Sequence, residues 1–400
     1  MTTSLALRCR VCEQVTAPAP VRICRRCDGP TDLTYDWDAV RTAVAPSWIA
    51  SGPASLWRYR DLLPSASIEL GAGWTPLVRA DRLSELLGVD LRLKLETANP
   101  THSFKDRVAA VAVAAALDHG MTTLCCSSNG NLGDAVAAAC AAAGLEAFVL
   151  TPVRHTWAPV SGASVFVVDG TYDDCCRLEA DLAELFPWGF VGGNLHPYAI
   201  EGAKTVAFEI AEQLGWTPPD VVVCAAASGA LFAKVAQGFA ELERLDLCDR
   251  SPRLFAAQAE GASPIAAAYA QDEALTRTRP ETDVHSLAVG DPEYGELAIG
   301  AARGSGGSIV AVAEAEMRSL TELLAQTTGV FADEAGGAAL AALLRALREG
   351  RIERGSQVVL VVTGSGLRQP GGAPEVEVVD ANVEDVVGAL QRMKNQHFTF

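Results

Sequence analysis

Short, continuous runs of apolar residues alternate along the chain with longer, alanine-rich stretches. Most of these runs are rich in Val, Leu or Phe and end in small residues, and we predict that they form strands: LRLKLE, TTLCCSS, AFVLTP, SVFVVDG, GFVGGN, VVVCAAAS, RLFAAQAEG and VVLVVTGSG. Because polar residues do not alternate with the apolar ones, such strands are buried on both faces of a sheet. Helices between them indicate parallel βαβ units. The pattern predicts an α/β protein with two domains, each built on a mostly parallel sheet.

The N-terminal segment does not follow this pattern. Within CRVCEQVTAPAPVRICRRC, two C-x-x-C pairs are separated by eleven residues, and their members are Cys9, Cys12, Cys24 and Cys27. Four thiolates in two such pairs suit a tetrahedral zinc ion. A module this small has little core of its own, so a metal would hold it together, in a structural role. The alternative is a ribbon of the same shape that holds no zinc, or holds it only in part.

These patterns give a domain organisation in three parts. Residues 1–36 form the cysteine ribbon. Residues 37–120 and 200–400 form a larger α/β domain, and residues 121–199 form a smaller α/β domain inserted between them.

Composition narrows the class of protein. The 400 residues are 49% hydrophobic and 20% charged, which is typical of a globular chain, and the formal net charge is −17. Nucleic acids and anionic membranes are poor partners for so acidic a protein. The longest apolar run, Val108–Leu117, is shorter than the roughly 18 residues of a membrane span. The start of the chain shows no apolar signal segment, so we expect a cytoplasmic protein with reduced cysteines.

Candidate chemistry lies where strands end, because ligands of parallel α/β sheets bind at the carboxyl ends of the strands. The strand TTLCCSS runs into Ser127 to Asn131 and a helix. The strand VVVCAAAS runs into small residues that open another helix, and backbone N–H groups at such helix starts bind anions. VVLVVTGSG ends in Thr363 and two glycines. Lys105 lies between a polar loop and a nearly uncharged helix.

Four segments together resemble the fold-type II pyridoxal-phosphate enzymes, and threonine synthases in particular: PTHSFKDR, SSNGN, ASGALF and TGSGL. The ribbon and further segments are similar to the longer, actinobacterial-type members: SLWRYRDLLP, GWTPLVRADRL, GTYDD and NLHPYAIEGAKT. The similarity extends from about Leu7 to about Leu367. It implies the two-domain fold of the tryptophan synthase β-like class.

The resemblance also implies residue roles. Lys105 matches the lysine that carries the cofactor, pyridoxal 5′-phosphate, and acts as the catalytic base. Asn131 and Thr363 match groups that contact the cofactor ring. The loop that holds the cofactor phosphate corresponds to Ala227, Ser228, Gly229 and Ala230. Substrate-binding residues correspond to Ser127, Ser128, Asn129, Gly130 and His196.

The implied reaction is that of threonine synthase, a carbon–oxygen lyase of amino-acid biosynthesis that converts O-phosphohomoserine and water to threonine and phosphate. Departures from the family pattern lie mainly on the substrate side, such as Asn129, Asp134 and His196. A paralogue that carries out β- or γ-replacement or elimination on another activated amino acid, as a cysteate synthase does, therefore stays open. The resemblance implies a homodimer.

A non-catalytic binding module is the third hypothesis. It has little support, because neither G-x-G-x-x-G nor G-x-x-x-x-G-K-[ST] follows a predicted strand. The arginines of the ribbon are more typical of a solvated face than of a docking surface.

Overall fold

The computed structural model describes residues 5–65, 68–153, 162–367 and 377–396. Its strands are β1 Leu5–Cys9, β2 Val15–Thr16, β3 Thr31–Tyr35, β4 Leu77–Arg79, β5 Asp90–Leu95, β6 Thr123–Ser127, β7 Glu146–Pro152, β8 Ser164–Val168, β9 Gly189–Phe190, β10 Val221–Ala225, β11 Arg253–Ala259, β12 Ser308–Val312, β13 Gln357–Val362 and β14 Glu377–Val379.

The α-helices are α1 Trp37–Ala43, α2 Pro46–Ala50, α3 Asp81–Leu87, α4 Lys105–Asp118, α5 Asn131–Ala143, α6 Tyr172–Ala183, α7 His196–Ala199, α8 Thr205–Gln213, α9 Ala230–Arg244, α10 Pro264–Gln271, α11 Gly295–Gly304, α12 Glu314–Thr328, α13 Glu334–Arg348 and α14 Val383–Gln396. Within the described ranges, none of them combines the length and the apolar character that crossing a lipid bilayer requires.

Two mostly parallel sheets form the body of the molecule, as the continuous apolar runs predicted. The larger sheet has the strand order β12-β11-β10-β13-β5-β4, and only its edge strand β4 is antiparallel to its neighbour. The smaller sheet has the order β14-β8-β7-β6-β9, with every pairing parallel. Strands β6, β10 and β13 are almost entirely buried, which explains why polar residues do not alternate along them.

Three strands and one boundary differ from the sequence-based expectations. Strands β4 and β12 were not predicted, and β9 is reduced to two residues within the glycine-rich GFVGGN. The C-terminal strand β14 pairs with β8 and so belongs to the smaller sheet, although we assigned 200–400 to the larger domain. The reason is the pairing register Glu377 to Phe166, a contact between residues far apart in the sequence. The rest of the domain division stays a prediction.

Helix α4 is buried on nearly all sides. Every residue from Asp106 to Ala116 is buried, and the helix packs against α5 and α7. Such a helix carries little charge because an unpaired charge in an apolar interior is costly. The sequence pattern around Lys105 is thus explained by the position of α4 between the other elements.

The ribbon is a separate antiparallel sheet with the order β2-β1-β3. Its last strand is tied to the body, because the Tyr35 hydroxyl donates a hydrogen bond of 2.9 Å to Glu201 Oε2. The other cysteines of the chain are unpaired, and all but the half-buried Cys176 are buried, as expected of small apolar side chains: Cys125, Cys126, Cys140, Cys175, Cys176, Cys224 and Cys248.

Candidate active site

A cavity of about 390 Å³ opens at the carboxyl ends of β6, β10 and β13. This volume lies in the usual range for small-molecule sites. The cavity brings together most of the residues that the sequence singled out: Lys105, Ser127, Ser128, Asn129, Asn131, Ala227, Ser228, Gly229, Ala230 and Thr363. The loops after three strands of two different sheets therefore converge on one cavity. This convergence supports a ligand site more strongly than any one of the loops does alone.

Lys105 is the first residue of α4 and faces this cavity. The loop before it is fastened to the end of β13, because Phe104 N donates to Thr363 O at 3.0 Å. Ser103 also forms a β-bridge with Gly364. Burial lowers the pKa of Lys105 to about 8, against the smaller opposing effects of Cys176 and Cys126. An amine with this pKa is partly unprotonated near neutral pH and is able to act as a nucleophile or a base.

The segment 127–131, which we call the substrate turn, is stabilised by hydrogen bonds to the hydroxyl group of Ser128. Ser128 Oγ accepts hydrogen bonds from Gly130 N at 2.9 Å and from Gly133 N at 2.8 Å. Gly130 has a φ of 131°, a conformation that other residues rarely adopt. Asn129 Nδ2 donates to His285 O at 3.1 Å, while its Oδ1 is buried without a hydrogen-bond partner among the described residues.

Glu179 stabilises the substrate turn through a hydrogen bond to its backbone. This buried carboxylate on α6 accepts hydrogen bonds from Ser127 N and from Gly192 N, both at 2.7 Å. Burial raises the pKa of Glu179, and the two N–H donors oppose that rise. This role was not predicted from the sequence, because a single glutamate on an amphipathic helix is usually a surface carboxylate. It could have been found only as a charged residue on the apolar face of α6.

The segment 227–230, which we call the phosphate loop, leads into α9, a helix of 15 residues. Gly229 has a φ of 80°, and a Cβ at this position would lie 2.8 Å from Tyr294 O. Tyr294 N in turn donates to Ser228 O at 3.1 Å. The loop needs glycine, and the first residues of α9, Ala230 and Leu231, line the cavity, where N–H groups at a helix start are able to bind an anion.

Asn131 and Thr363 approach each other across the cavity. A Cβ added at Gly364 would lie 3.4 Å from Asn131 Nδ2, so the amide is packed against the end of β13 next to Thr363. The two side chains that were predicted to face the cofactor ring thus follow strands of different sheets: Asn131 begins α5 after β6, and Thr363 comes directly after β13. Asp333, at the start of α13, borders the same Gly364. Burial raises the pKa of Asp333 to about 6, assisted by the neighbouring charge of Glu334.

Two predicted substrate residues do not line the cavity. Gly130 lies within the substrate turn, where its N–H group donates to Ser128 Oγ, but it does not line the cavity. His196 begins α7, where its Nε2 lies 3.5 Å from Glu293 Oε2, and burial lowers the pKa of its imidazole. The imidazole is packed against the Tyr294 ring, at a centroid separation of 5.6 Å. The resemblance placed His196 near substrate because neighbouring sequence matched, whereas the packing of α7 turns it toward Glu293.

Further residues that line the cavity had no assigned role: Leu132, Tyr172, Asp283, His285, Ser286, Leu287, Val289, Asp333, Glu334 and Ser365. Tyr172 falls within GTYDD, one of the segments that are similar to the family, whereas Asp333 was not singled out as a site residue. Residues 283–289 carry no motif, and only the tertiary structure brings them to the cavity.

The ribbon cysteines Cys9, Cys12, Cys24 and Cys27 form one cluster, with all four Sγ atoms within 4.8 Å of one another. The separations are 3.4 Å for Cys9 to Cys27 and 3.7 Å for Cys12 to Cys24. Four sulfurs bound at 2.3 Å to a tetrahedral zinc ion would lie about 3.8 Å apart. The geometry of the donor set fits a metal.

Residues 68–364 match the family model described as "Pyridoxal-phosphate dependent enzyme". The threonine synthase of Mycobacterium tuberculosis is 35% identical over 87% of this chain and 98% of its own. The threonine synthase of Methanocaldococcus jannaschii is 32% identical over 92% of this chain and 94% of its own. This chain belongs to the threonine synthase family of pyridoxal-phosphate-dependent enzymes. The family assignment confirms the prediction of a pyridoxal-phosphate-dependent lyase.

Two solved structures of other enzymes share the fold. A threonine deaminase isoform from Solanum lycopersicum superposes with a TM-score of 0.63 at 20% identity, covering 83% of this chain and 86% of that one. Maize serine racemase superposes with a TM-score of 0.60 at 20% identity, covering 81% and 93%. These similarities confirm the fold-type II architecture that the resemblance implied.

Proposed function

We propose that this member of the threonine synthase family converts O-phospho-L-homoserine and water to L-threonine and inorganic phosphate. The supporting observation is the meeting of Lys105, Asn131, Thr363 and the phosphate loop in one cavity. These groups come from separate loops of two sheets, and each has the chemistry that one part of the cofactor and substrate requires.

The residues present fit pyridoxal 5′-phosphate. Lys105 has the lowered pKa that covalent attachment to an aldehyde needs, and the phosphate loop has a glycine where any Cβ would collide. In the proposal, the start of α9 binds the cofactor phosphate, and Asn131 and Thr363 contact the ring. When bound, the cofactor supplies an electron sink for the substrate α-carbon.

The protein's own groups then orient the substrate and move its protons. The substrate turn binds the α-carboxylate through backbone N–H groups and the Asn129 side chain, and Asn129 Oδ1 is available for such a contact. Lys105 takes the α-proton and then a proton from Cβ as phosphate leaves Cγ. Cγ next gains a proton, water adds to Cβ, and Cα regains its proton, which gives threonine. Its pKa of about 8 is close to neutral pH, where a general base is most effective.

An activity screen tests this function. The purified enzyme is incubated with O-phosphohomoserine, O-phosphoserine and O-acyl amino acids, and phosphate, keto acids and amino-acid products are measured. We expect O-phosphohomoserine to yield equal amounts of phosphate and threonine. The Lys105→Ala variant is the matched control, and neither product should form with it. Phosphate release without threonine would contradict the proposal.

A second candidate function rests on the charges around the cavity. The described lining residues include three carboxyl groups, those of Asp283, Asp333 and Glu334, against one lysine. A phosphate dianion on the substrate is poorly matched to such a lining, because carboxylates repel it. This arrangement keeps open β- or γ-replacement or elimination on an amino acid that is activated by an uncharged ester. Higher kcat/KM for O-acyl donors than for O-phosphohomoserine would support it.

We also propose that the ribbon binds one structural zinc ion through Cys9, Cys12, Cys24 and Cys27. Elemental analysis should find about one zinc per chain, and Cys12→Ser should lose most of it. Cys248→Ala, a change at a buried cysteine outside the ribbon, is the control and should keep the metal. Equal zinc contents in both variants would exclude the site. The homodimer and the cytoplasmic location stay predictions, and light scattering tests the first.

A further inference from the structure

Arg22, a ribbon residue, contacts one residue beside the smaller sheet and one residue beside the larger sheet. It lies two residues before Cys24, and about a quarter of its side chain is exposed. Its Nη1 donates a hydrogen bond to Gly192 O at 2.8 Å, and its Nη2 lies 3.0 Å from Glu293 Oε2. Gly192 follows β9 in the smaller sheet, whereas Glu293 precedes α11 beside the larger sheet.

The first contact leads to the substrate turn. Gly192 N donates to Glu179 Oε1, and the other oxygen of that carboxylate accepts from Ser127 N. A Cβ at Gly192 would lie 3.0 Å from Glu179 Oε2, so the backbone approaches the carboxylate as closely as glycine permits. Arg22 therefore binds the carbonyl oxygen of Gly192, the residue whose N–H group binds Glu179, and Glu179 in turn binds the backbone of the substrate turn.

The second contact leads to the phosphate loop. Glu293 is followed by Tyr294, whose N–H donates to Ser228 O and whose carbonyl oxygen limits the space at Gly229. The Tyr294 ring is covered by a second ribbon arginine, because the guanidinium of Arg10 lies 4.4 Å from its centroid. Arg10 is itself fixed by two hydrogen bonds to Asp32, of 2.6 and 2.7 Å.

We propose that Arg22 is a positioning residue of the active site, which sets the substrate turn and the phosphate loop at their working separation. The ribbon thereby acts on both cofactor and substrate, although none of its residues lines the described cavity. This inference rests on the proposed binding of the cofactor phosphate at residues 227–230. The inference adds that one side chain of the ribbon supports both the substrate turn and the phosphate loop.

Ligand affinities of three variants test the inference. For each apoprotein, the dissociation constant of pyridoxal 5′-phosphate is obtained from the visible absorbance of the lysine-bound cofactor. The affinity of the holoenzyme for L-threonine or L-serine is then read from the change in that absorbance. We expect Arg22→Ala to weaken both affinities about tenfold, the usual consequence of losing a hydrogen-bonded charge pair.

The other two variants separate the contacts. Glu293→Gln should weaken cofactor binding alone, and Glu179→Gln should weaken amino-acid binding alone. Arg25→Ala, at an exposed neighbouring ribbon arginine, should change neither. Arg22→Ala and Glu293→Gln should be non-additive for cofactor affinity, since they interrupt the same contact. If Arg22→Ala does not fold, Arg22→Lys and Glu293→Gln still carry the test.

Three outcomes decide the matter. Cofactor and amino-acid affinities of Arg22→Ala within twofold of Arg25→Ala would overturn the inference and leave the proposed function standing. A lower melting temperature with unchanged affinities would show a purely structural role and would also overturn it. A wild-type protein that does not bind pyridoxal 5′-phosphate would overturn the proposed function and this inference with it.

Discussion

Lys105 and Arg107 lie two residues apart on α4, but Arg107 is fully buried among carboxylates, whereas Lys105 is half-buried and faces the cavity. Arg107 binds two carboxylates: its Nε and Nη2 each lie 2.7 Å from Glu96, and Nη2 lies 2.8 Å from Glu209. Lys94 also pairs with Glu209, at 2.7 Å. Lys105, by contrast, has no ion pair with any described residue, and the closest ring contact of its Nζ is Phe104, 4.7 Å from the centroid.

The difference separates a structural charge from a reactive one. Burial alone would raise the pKa of Glu209, but Arg107 and Lys94 lower it to about 2, so this cluster stays ionised and saturated with hydrogen bonds. At Lys105 burial meets no such compensation, and the pKa falls to about 8. The same apolar helix thus anchors one cation with carboxylates and leaves the other available for chemistry.

The largest expected effect is on catalysis, in Lys105→Ala. Removing the amine should lower kcat by ~10³-fold or more, since both covalent attachment and proton transfer are lost. The melting temperature should change little, because no ion pair is broken. Borohydride reduction followed by peptide mapping checks the attachment: label should appear at residue 105 in the wild type only.

Arg107→Ala should, in contrast, mainly lower the stability of the protein. It leaves Glu96 and Glu209 buried without their main partner, which costs about 3–5 kcal/mol of unfolding free energy. Urea denaturation measures this loss. Arg107→Lys is the control and should recover part of the lost unfolding free energy, because lysine restores the charge but not the bidentate hydrogen bonding. If Arg107→Ala proved as stable as Lys105→Ala, the contrast between the two charges would be wrong.

A smaller effect concerns pH and the uptake of cofactor. Lys105 reacts as the free amine, so its reactive fraction rises with pH and levels off above its pKa. With a pKa of about 8, the uptake rate of the apoprotein should rise ~10-fold between pH 7 and pH 9 and then flatten. An ordinary lysine would give ~100-fold over the same interval with no plateau. Stopped-flow absorbance distinguishes the two curves, with a free lysine derivative as reference.

The smallest effect is expected for Thr363→Val. This substitution keeps the shape of the residue at the end of β13 but removes the hydroxyl that we assign to the cofactor ring. We expect a loss of cofactor affinity of about fivefold, since a net hydrogen bond contributes about 1 kcal/mol. Equilibrium titration of the apoprotein checks this value. Thr328→Val, at the C-terminal end of α12, is the matched control and should leave the affinity unchanged.

Much of the molecule follows from local pattern. Continuous apolar runs identified the strands β5 to β8, β10, β11 and β13, and the small residues after them marked the loops that converge on the cavity. Lys105, Asn131 and Thr363 were recognisable because their neighbours form motifs. Strand β12 was missed, since SIVAV is short and lacks a motif. The pairing of β14 with β8 was not foreseen, because pairing partners are not encoded locally.

What the sequence determined by itself is therefore the class of fold and which lysine and loops are candidates for the site, because periodicity and motif chemistry depend on residues close together in the chain. Only the tertiary structure decided that His196 faces Glu293, that Glu179 supports the substrate turn and that Arg22 spans both halves of the site. It also decided the charge state of Lys105. Burial and electrostatic environment come from residues tens to hundreds of positions away, and no local pattern contains them.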